Sequence, residues 1–311
     1  MIEKDIYCLQ TPYRSDMIIK GFQFGKGDHA ACILGPVRGN EVQQLYICSQ
    51  IVKALRDLEQ RNCISSNKQI LVIPFVNNYS MNVGERLFSA ETGDINRSFP
   101  GNKKAAITSR VAAGIMEAVE DYSYGIQFSS SYLTGEFVSH VRMMETGFQN
   151  TSLANLFGLP YVIVRKPTPI DTKTLNFNWQ NEMTAAFNIY TNKTEVIDPL
   201  SAQRAVSSVL RFLTRMGIIK YESHSGFISH VINEEDLRDI HATCGGLFVP
   251  LVNAGEEIRY GMTIGNIVDP YTGDVKDALV AKTDGIVFYC HTAPLIGQYD
   301  VCFRIIHRLH Q

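Results

Sequence analysis

The sequence has no long apolar segment and no run of charge of one sign. Its 29 Lys and Arg residues are balanced by 31 Asp and Glu residues, and no basic cluster is placed to follow a nucleic-acid backbone. No stretch approaches the roughly 20 apolar residues that cross a bilayer, and the first residues lack the charged start and apolar core of a secretion signal. We therefore predict a cytoplasmic protein that binds neither nucleic acid nor membrane.

The usual sequence patterns for disulfides and metal sites are also missing. The seven cysteines are scattered, odd in number and never form a C-x-x-C pair, which argues against a disulfide framework and against a thiolate zinc site. The eight histidines include no H-x-x-x-H pair inside a predicted helix of the N-terminal region. No serine lies in a G-x-S-x-G elbow, so the sequence offers no evident nucleophile either.

What is present is enough apolar sequence for a sizeable core. At 311 residues and 45% hydrophobic content, the chain suffices for one large domain, or for one large and one small domain. Apolar strands, predicted over 69–76 and 185–190, alternate with amphipathic helices, predicted over 104–122 and 201–216. This alternation predicts an α/β fold with a largely parallel sheet covered by helices.

The pattern changes towards the C-terminus. From residue 224 onward, short apolar segments are separated by glycines, which is typical of a small all-β domain. We therefore predict an α/β domain over residues 1–223 and a β-rich, barrel-like domain over residues 224–311.

A turn at residues 35–41, with the sequence G-P-V-R-G-N-E, is the first candidate site. It follows a short apolar segment at residues 30–34 that predicts a buried strand, and it precedes apolar residues at helical spacing. Open α/β sheets bind ligands at the carboxyl ends of their strands, so the turn is well placed for a ligand. On its own, Glu41 is an ordinary acidic residue at a helix start, which the helix dipole favours.

A long irregular passage at residues 81–104 is the second candidate. It contains G-E-R, which ends at Arg86, and then G-D-I-N-R-S-F-P-G, which includes Asn96 and Arg97. Loops this long inside compact domains are usually functional or disordered, and the aromatic, the proline and the arginines favour a function. Two interpretations stay open: the polar residues pin the loop to backbone carbonyls, or they bind an anion. We expect Asp94 to orient an arginine rather than to act in catalysis.

The motif D-I-N-R-S-F-P-G at residues 94–101 resembles the D-L-N-R-x-F-P-G signature of the aspartoacylase and succinylglutamate desuccinylase family of zinc-dependent deacylases. The preceding G-E-R and the glycine-rich C-terminal segment are similar to this family as well, and the resemblance covers nearly the whole chain. It implies a zinc-carboxypeptidase-like mixed sheet with flanking helices. It also implies a small all-β C-terminal domain similar to a biotinyl-type barrel.

The resemblance assigns the metal site to particular positions of this chain. In that family, an H-G-x-E motif supplies a His and a Glu to zinc, a D-L-H motif supplies a second His, and a later Glu activates the metal-bound water. The motif's Glu corresponds to Glu41, whereas the two His ligands fall on Arg38 and Gln127. The catalytic Glu falls near Tyr190. Two of the three zinc ligands, and the general base, are thus replaced.

The resemblance also assigns a substrate-binding role. It implies that Arg86, Asn96 and Arg97 bind the carboxylate of a small ligand and a developing oxyanion, because guanidinium groups form bidentate, charge-assisted bonds with such groups.

An arginine at a ligand position cannot coordinate zinc, because its guanidinium stays protonated and has no lone pair to donate. Arg38 and Glu41 are three residues apart at a helix start, within reach of an ion pair. We therefore expect Arg38 to take the metal's position and to pair with Glu41. No cofactor is favoured, although zinc is the family's cofactor. For Gln127 the plain alternative is a strand-end amide satisfied by the backbone.

Three functions stay open. The first is a metal-free pseudoenzyme that binds a small carboxylate-bearing ligand, and the second is a non-catalytic subunit paired with an intact homologous deacylase or with further copies of itself. Both assume that zinc-dependent amide hydrolysis has been lost, and together they are the preferred prediction. The third is an active zinc-dependent deacylase of N-acyl amino acids or similar amides, with a rearranged metal site.

Overall fold

The computed structural model describes residues 1–11 and 15–307, which form two compact units. The first unit draws on Met1–Ser130, His140–Tyr190 and Thr194–Val231. The second draws on Ser131–Ser139, Thr191–Lys193 and the described residues from Ile232 onward. Two short segments from the α/β part of the chain therefore belong to the second unit, and the boundary at 223/224 stays a prediction.

The elements are numbered in chain order. The strands are β1 (Ile2–Leu9), β2 (Met17–Gly25), β3 (Asp28–Leu34), β4 (Lys68–Ile73), β5 (Tyr124–Phe128), β6 (Gly135–Phe137), β7 (His140–Met144), β8 (Tyr161–Arg165), β9 (Ala185–Tyr190), β10 (His230–Asn233), β11 (Arg238–His241), β12 (Gly246–Pro250), β13 (Glu257–Ile258), β14 (Thr263–Val268), β15 (Val275–Val280), β16 (Gly285–His291), β17 (Leu295–Ile296) and β18 (Val301–His307). The α-helices are α1 (Val42–Gln60), α2 (Asn78–Met81), α3 (Ile107–Val119), α4 (Thr151–Asn155), α5 (Leu175–Asn181) and α6 (Pro199–Arg215). Short 3-10 helices cover Ile95–Arg97, Asp171–Lys173 and Glu234–Asp236.

The first unit is built on a mixed sheet whose strands run in the order β1-β2-β4-β3-β5-β9-β7-β8. Strands β4, β3, β5 and β9 are parallel to their neighbours in this central part. The pairs β1–β2, β2–β4 and β7–β9 are antiparallel. The predicted mixed sheet with flanking helices is confirmed, and the carboxyl ends of its parallel strands meet at one edge.

Helices cover both faces of this sheet because the central strands carry apolar side chains on both sides. Ile126 and Phe128 of β5 pack with residues of α1 and α6 in one buried cluster. Trp179 of α5 and the apolar side of α3 form a second cluster with Leu34 of β3. Because successive side chains of a strand point to opposite faces, Gln127 lies on the α3 and α5 side.

Most predicted elements of this unit are present, with shifted ends. The helix predicted over 104–122 is α3, and the strand predicted over 69–76 is β4. The helix predicted over 201–216 is α6, which begins earlier, at Pro199, because the Asp198 side chain accepts the N–H groups of Leu200 and Ser201. No strand was expected before residue 30, yet β1 and β2 pair there; β1 is largely exposed and lacks a long apolar run.

The second unit consists of short antiparallel strands in two sheets. One has the order β11-β18-β16-β13, with β6 also paired to β16, and the other has the order β15-β14-β12-β17. Phe248, Ile264, Val287 and Phe303 belong to its buried core. The β-rich C-terminal region predicted from the glycine-punctuated pattern is confirmed. In the part of the chain that the structure describes, no helix is long and apolar enough to span a membrane.

Candidate functional site

The two candidate segments lie side by side at the carboxyl ends of the parallel strands. The turn that follows β3 passes close to the loop after β4, and at Gly39 an added Cβ atom would lie 2.3 Å from the carbonyl oxygen of Glu85. The Gly39 N–H donates to the Arg86 carbonyl oxygen at 3.3 Å. Only glycine leaves room for this approach, and it brings the turn against the loop that carries Arg86.

Arg38 is almost completely buried, with 1% of its surface exposed, and its guanidinium lies between two carboxylates. Its Nε and Nη2 donate to the two oxygens of Asp94 at 3.2 and 2.8 Å. Its Nη1 lies 3.7 Å from Glu41 Oε1 and donates to the Ser130 carbonyl oxygen at 3.4 Å. The expected ion pair with Glu41 is present, and the arginine that Asp94 orients is Arg38.

Glu41 is equally buried, and both of its carboxylate oxygens are bound by groups of this chain. Oε1 accepts the backbone N–H of Ser130 at 3.2 Å and the Ser130 hydroxyl at 2.6 Å. Oε2 accepts the backbone N–H of Arg38 at 3.2 Å. The carboxylate therefore fixes the end of β5 to the turn after β3.

Gln127 lies on β5 beside β3 and is 1% exposed. Its Nε2 donates to Asn96 Oδ1 at 3.1 Å, whereas its Oε1 has no hydrogen-bond partner in the described part of the chain. The hydrogen-bond partner of the Gln127 amide is therefore a side chain. The alternative expectation, in which the backbone satisfies an amide at the strand end, does not describe this contact. At Gly125, where the resemblance places an Asp, an added Cβ atom would lie 2.5 Å from the Trp179 ring, so the packing of α5 excludes any side chain.

Most of the predicted site residues belong to one hydrogen-bonded network. Arg86 Nη1 donates to the Ser130 hydroxyl at 3.4 Å, which connects Arg86 with Glu41. Asp94 also accepts the backbone N–H of Asn96 at 3.0 Å, which connects the turn with the 3-10 helix Ile95–Arg97. The connected residues are, in order, Arg86, Ser130, Glu41, Arg38, Asp94, Asn96 and Gln127.

The side chains at the three assigned positions do not fit a zinc ion. Catalytic zinc takes lone pairs from three His, Cys or carboxylate side chains and leaves a position for water. Arg38 has no lone pair to give, Gln127 supplies an amide that is bound to Asn96, and both oxygens of Glu41 accept hydrogen bonds. Among residues 1–11 and 15–307, no group of three or more His, Cys, Asp or Glu side chains is placed to hold a metal ion.

Tyr190, near the position assigned to the general base, lies at the end of β9 and outside this network. Its ring stacks on the ring of His140 across the β7–β9 pair, with centroids 5.1 Å apart. The guanidinium of Arg142 lies over the same ring, 5.4 Å from its centroid. The residue thus presents a phenol held by aromatic and cation–π contacts, with no carboxylate.

Arg97 is held by a different carboxylate. Its Nη1 donates to Asp171 Oδ1 at 2.8 Å and to the Ile170 carbonyl oxygen at 3.1 Å, and Arg165 lies 3.0 Å from the other oxygen of Asp171. Burial raises the pKa of Asp171, but hydrogen bonds from Thr168 and Arg97 and the charge of Arg165 outweigh it, so its pKa lies below the usual range. The Arg97 side chain keeps 15% of its surface exposed.

Sequence reasoning missed two residues that organise the site. Ser130 lies in a run of three serines at residues 129–131 that carries no catalytic pattern, and Asp171 lies in no recognisable motif. Ser130 meets Glu41 across 89 residues of sequence, and Asp171 meets Arg97 across 74. No local pattern signals contacts of this range.

Comparison with known proteins gives a likeness of fold. No protein-family model and no curated protein sequence matches this chain. A succinylglutamate desuccinylase/aspartoacylase from Rhodobacter sphaeroides is 18% identical, with a TM-score of 0.79, over 99% of this chain and 96% of that one. The product-bound ectoine utilization protein EutE (DoeB) from Ruegeria pomeroyi is 17% identical, with a TM-score of 0.78, over 93% of this chain and 89% of that one.

An aspartoacylase family protein from Mesorhizobium loti is 15% identical, with a TM-score of 0.78, over 95% of this chain and 91% of that one. The chain therefore has the fold of the succinylglutamate desuccinylase and aspartoacylase structures, over almost its whole length. The resemblance drawn from the N-R-S-F-P-G motif is confirmed at the level of the fold.

Proposed function

We propose that this protein is a succinylglutamate desuccinylase/aspartoacylase-like protein that has lost zinc-dependent amide hydrolysis and binds a small carboxylate-bearing ligand without a metal. The observation that carries the proposal is the buried guanidinium of Arg38 between Glu41 and Asp94. The resemblance assigns two of the family's zinc-ligand positions to Arg38 and Glu41. A fixed positive charge there holds together two carboxylates that would otherwise repel each other.

A guanidinium replaces only part of what a metal does. It supplies charge and N–H donors, but it has no coordination position for water and so cannot lower the pKa of a bound water molecule. Tyr190 offers a hydroxyl where the resemblance assigns a carboxylate base. At the assigned positions, which all lie within the described residues, Arg38, Gln127 and Tyr190 thus support an ordered, charged site and provide no metal ligand or carboxylate base to generate a hydroxide.

The proposed ligand contacts are Arg86, Asn96 and Arg97. Asp171 fixes the Arg97 side chain while part of it stays exposed, and a fixed guanidinium loses little conformational freedom when it binds a carboxylate. Arg86 is half-buried and is tied through Ser130 to the network around Arg38. Both arginines therefore suit a ligand with a carboxylate group, such as an N-acyl amino acid.

The test is calorimetric titration with a panel of N-acetyl amino acids, with and without a chelator. We expect at least one ligand to bind equally well in both conditions. Arg97→Ala should weaken it by about tenfold or more, because a charge-assisted bidentate contact is lost, and Arg97→Lys should recover only part of the affinity. Arg56→Ala, at an exposed position of α1, is the matched control and should bind normally.

Two results would contradict the proposal. One is that no N-acyl amino acid binds. The other is binding, or release of a free carboxylate from these compounds, that the chelator abolishes; that result would favour the active zinc-dependent deacylase.

A further inference from the structure

A groove of about 510 Å³ runs between α1 and α6, on the face of the sheet opposite to Gln127. The two helices begin side by side, since Gln43 Nε2 donates to the Asp198 carbonyl oxygen at 3.1 Å and the Asp198 N–H donates to Gln43 Oε1 at 2.9 Å. They follow the parallel strands β3 and β9 and run in the same direction. The groove shares no lining residue with the candidate site, and its volume lies in the range of roughly 300–1,000 Å³ typical of small-molecule sites.

The floor of the groove is apolar. Leu58 of α1 and Ala202 and Leu210 of α6 lie beneath it and are buried. Tyr46, near the start of α1, and Tyr221, beyond the end of α6, add aromatic surface at its two ends. An apolar chain laid along the groove would remove this surface from water, which is the main favourable term in binding such a ligand.

The charge of the groove is unbalanced. Its charged lining residues are Lys53 and Asp57 of α1 and Arg61, which directly follows the end of α1, and all three are exposed. Within the described residues, none of these three side chains forms an ion pair. Two cations and one anion therefore border an apolar floor. This combination favours an anionic head group and disfavours a cationic one.

We propose that this groove binds a monomeric amphipathic anion, with an unbranched apolar chain of medium length that ends in a carboxylate. The chain lies along the floor between the two helices, and the head group is paired with Lys53 and Arg61. The inference does not depend on the proposed function, because the groove shares no lining residue with the candidate site.

The first experiment is calorimetric titration of the whole protein with hexanoate, octanoate and decanoate, each below its micelle concentration. We expect one site per chain and an affinity that rises about three- to fourfold for each added methylene group that is buried. Decyltrimethylammonium has the same chain length and the opposite charge, and it should bind at least about tenfold more weakly than decanoate. Equal binding of the two ions, or no binding of decanoate, overturns the proposal.

The second experiment locates the binding. Lys53→Gln and Arg61→Gln should each weaken decanoate binding by about five- to tenfold, because each removes one charge-assisted contact. Gln203→Trp places a bulky ring at an exposed lining position and should block the groove, with circular dichroism confirming that the variant is folded. Arg56→Gln, exposed on the same helix and outside the lining, is the control and should bind normally.

Unchanged decanoate binding in Gln203→Trp and Arg61→Gln would overturn the proposal. Decanoate binding that is lost in Arg97→Ala and kept in the groove variants would also overturn the proposal, since it would assign the ligand to the candidate site. Binding to vesicles of anionic phospholipid without any binding of monomeric decanoate would contradict it as well.

Discussion

Arg38 carries a charge at a position with 1% of its surface exposed, and such a charge is tolerated only when it is paired and hydrogen-bonded. Arg38→Met keeps a similar apolar stem and leaves Glu41 and Asp94 without their cation. We expect the free energy of unfolding to fall by about 3–5 kcal/mol, the usual result of breaking a buried pair from one side. Urea denaturation at neutral pH measures the loss.

Arg56→Met is the matched control, because Arg56 is exposed and should change the stability by no more than about 0.5 kcal/mol. If Arg38→Met destabilised the protein no more than this control, the bridging role of Arg38 would be contradicted.

Asp171 makes the stability depend on pH. The pKa of Asp171 is lower in the folded chain than in the unfolded one. Its contribution to the free energy of unfolding is therefore complete above the unfolded pKa of about 3.9, and it is lost as the pH falls through the folded pKa. Asp171→Asn should cost about 3 kcal/mol at pH 7, since Arg97 and Arg165 lose a buried partner. We expect this difference from the wild type to shrink below about pH 4.

Denaturant titrations at several pH values between neutral and acid measure this difference. If the difference in free energy of unfolding between the wild type and Asp171→Asn stayed constant over this pH range, the lowered pKa of Asp171 would be contradicted.

The pairing of Arg38 with Glu41 was predictable because both residues lie on one turn at a helix start. The partners that complete the network were not predictable in the same way. Asp94 and Ser130 come from other loops, and only the strand order β4-β3-β5 brings those loops together. At the residue scale, a contact between neighbours on one turn was therefore predictable from the sequence, whereas contacts between separate loops were not.

At the scale of elements, the start of α6 depends on one side chain. Asp198 accepts the N–H groups of Leu200 and Ser201, and Pro199 follows it at the first helical position. Asp198→Ala removes the cap and should lower the free energy of unfolding by about 1 kcal/mol, whereas Asp198→Asn should cost little, because Asn caps about as well. Thermal unfolding of the three proteins measures the difference; equal losses for Ala and Asn would contradict the capping role.

Strands with long apolar runs were predictable from the sequence, whereas the strand at the edge of the sheet was not. Strands β3, β4, β5 and β9 are buried on both faces, so their apolar runs stand out in the sequence. The edge strand β1 is mostly exposed and has little apolar signal to detect. Nor does any local pattern indicate that 131–139 and 191–193 belong with the C-terminal unit.

At the scale of the whole molecule, the fold and the reaction have separate determinants. The fold requires apolar patterning along the full chain, and it persists at 15–18% identity to the similar structures. The reaction requires a few side chains at the carboxyl ends of the strands, and the resemblance assigns three of those positions to Arg38, Gln127 and Tyr190 in this sequence. A shared fold therefore says little about whether the chemistry has been kept.

Zinc content tests the central claim most directly. The protein is purified without chelators, incubated with excess zinc, dialysed and analysed for zinc per chain. We expect far less than one zinc per chain, because Arg38 donates no lone pair and repels a dication. About one zinc per chain that resists dialysis, in a protein that keeps its native fold, would contradict the account.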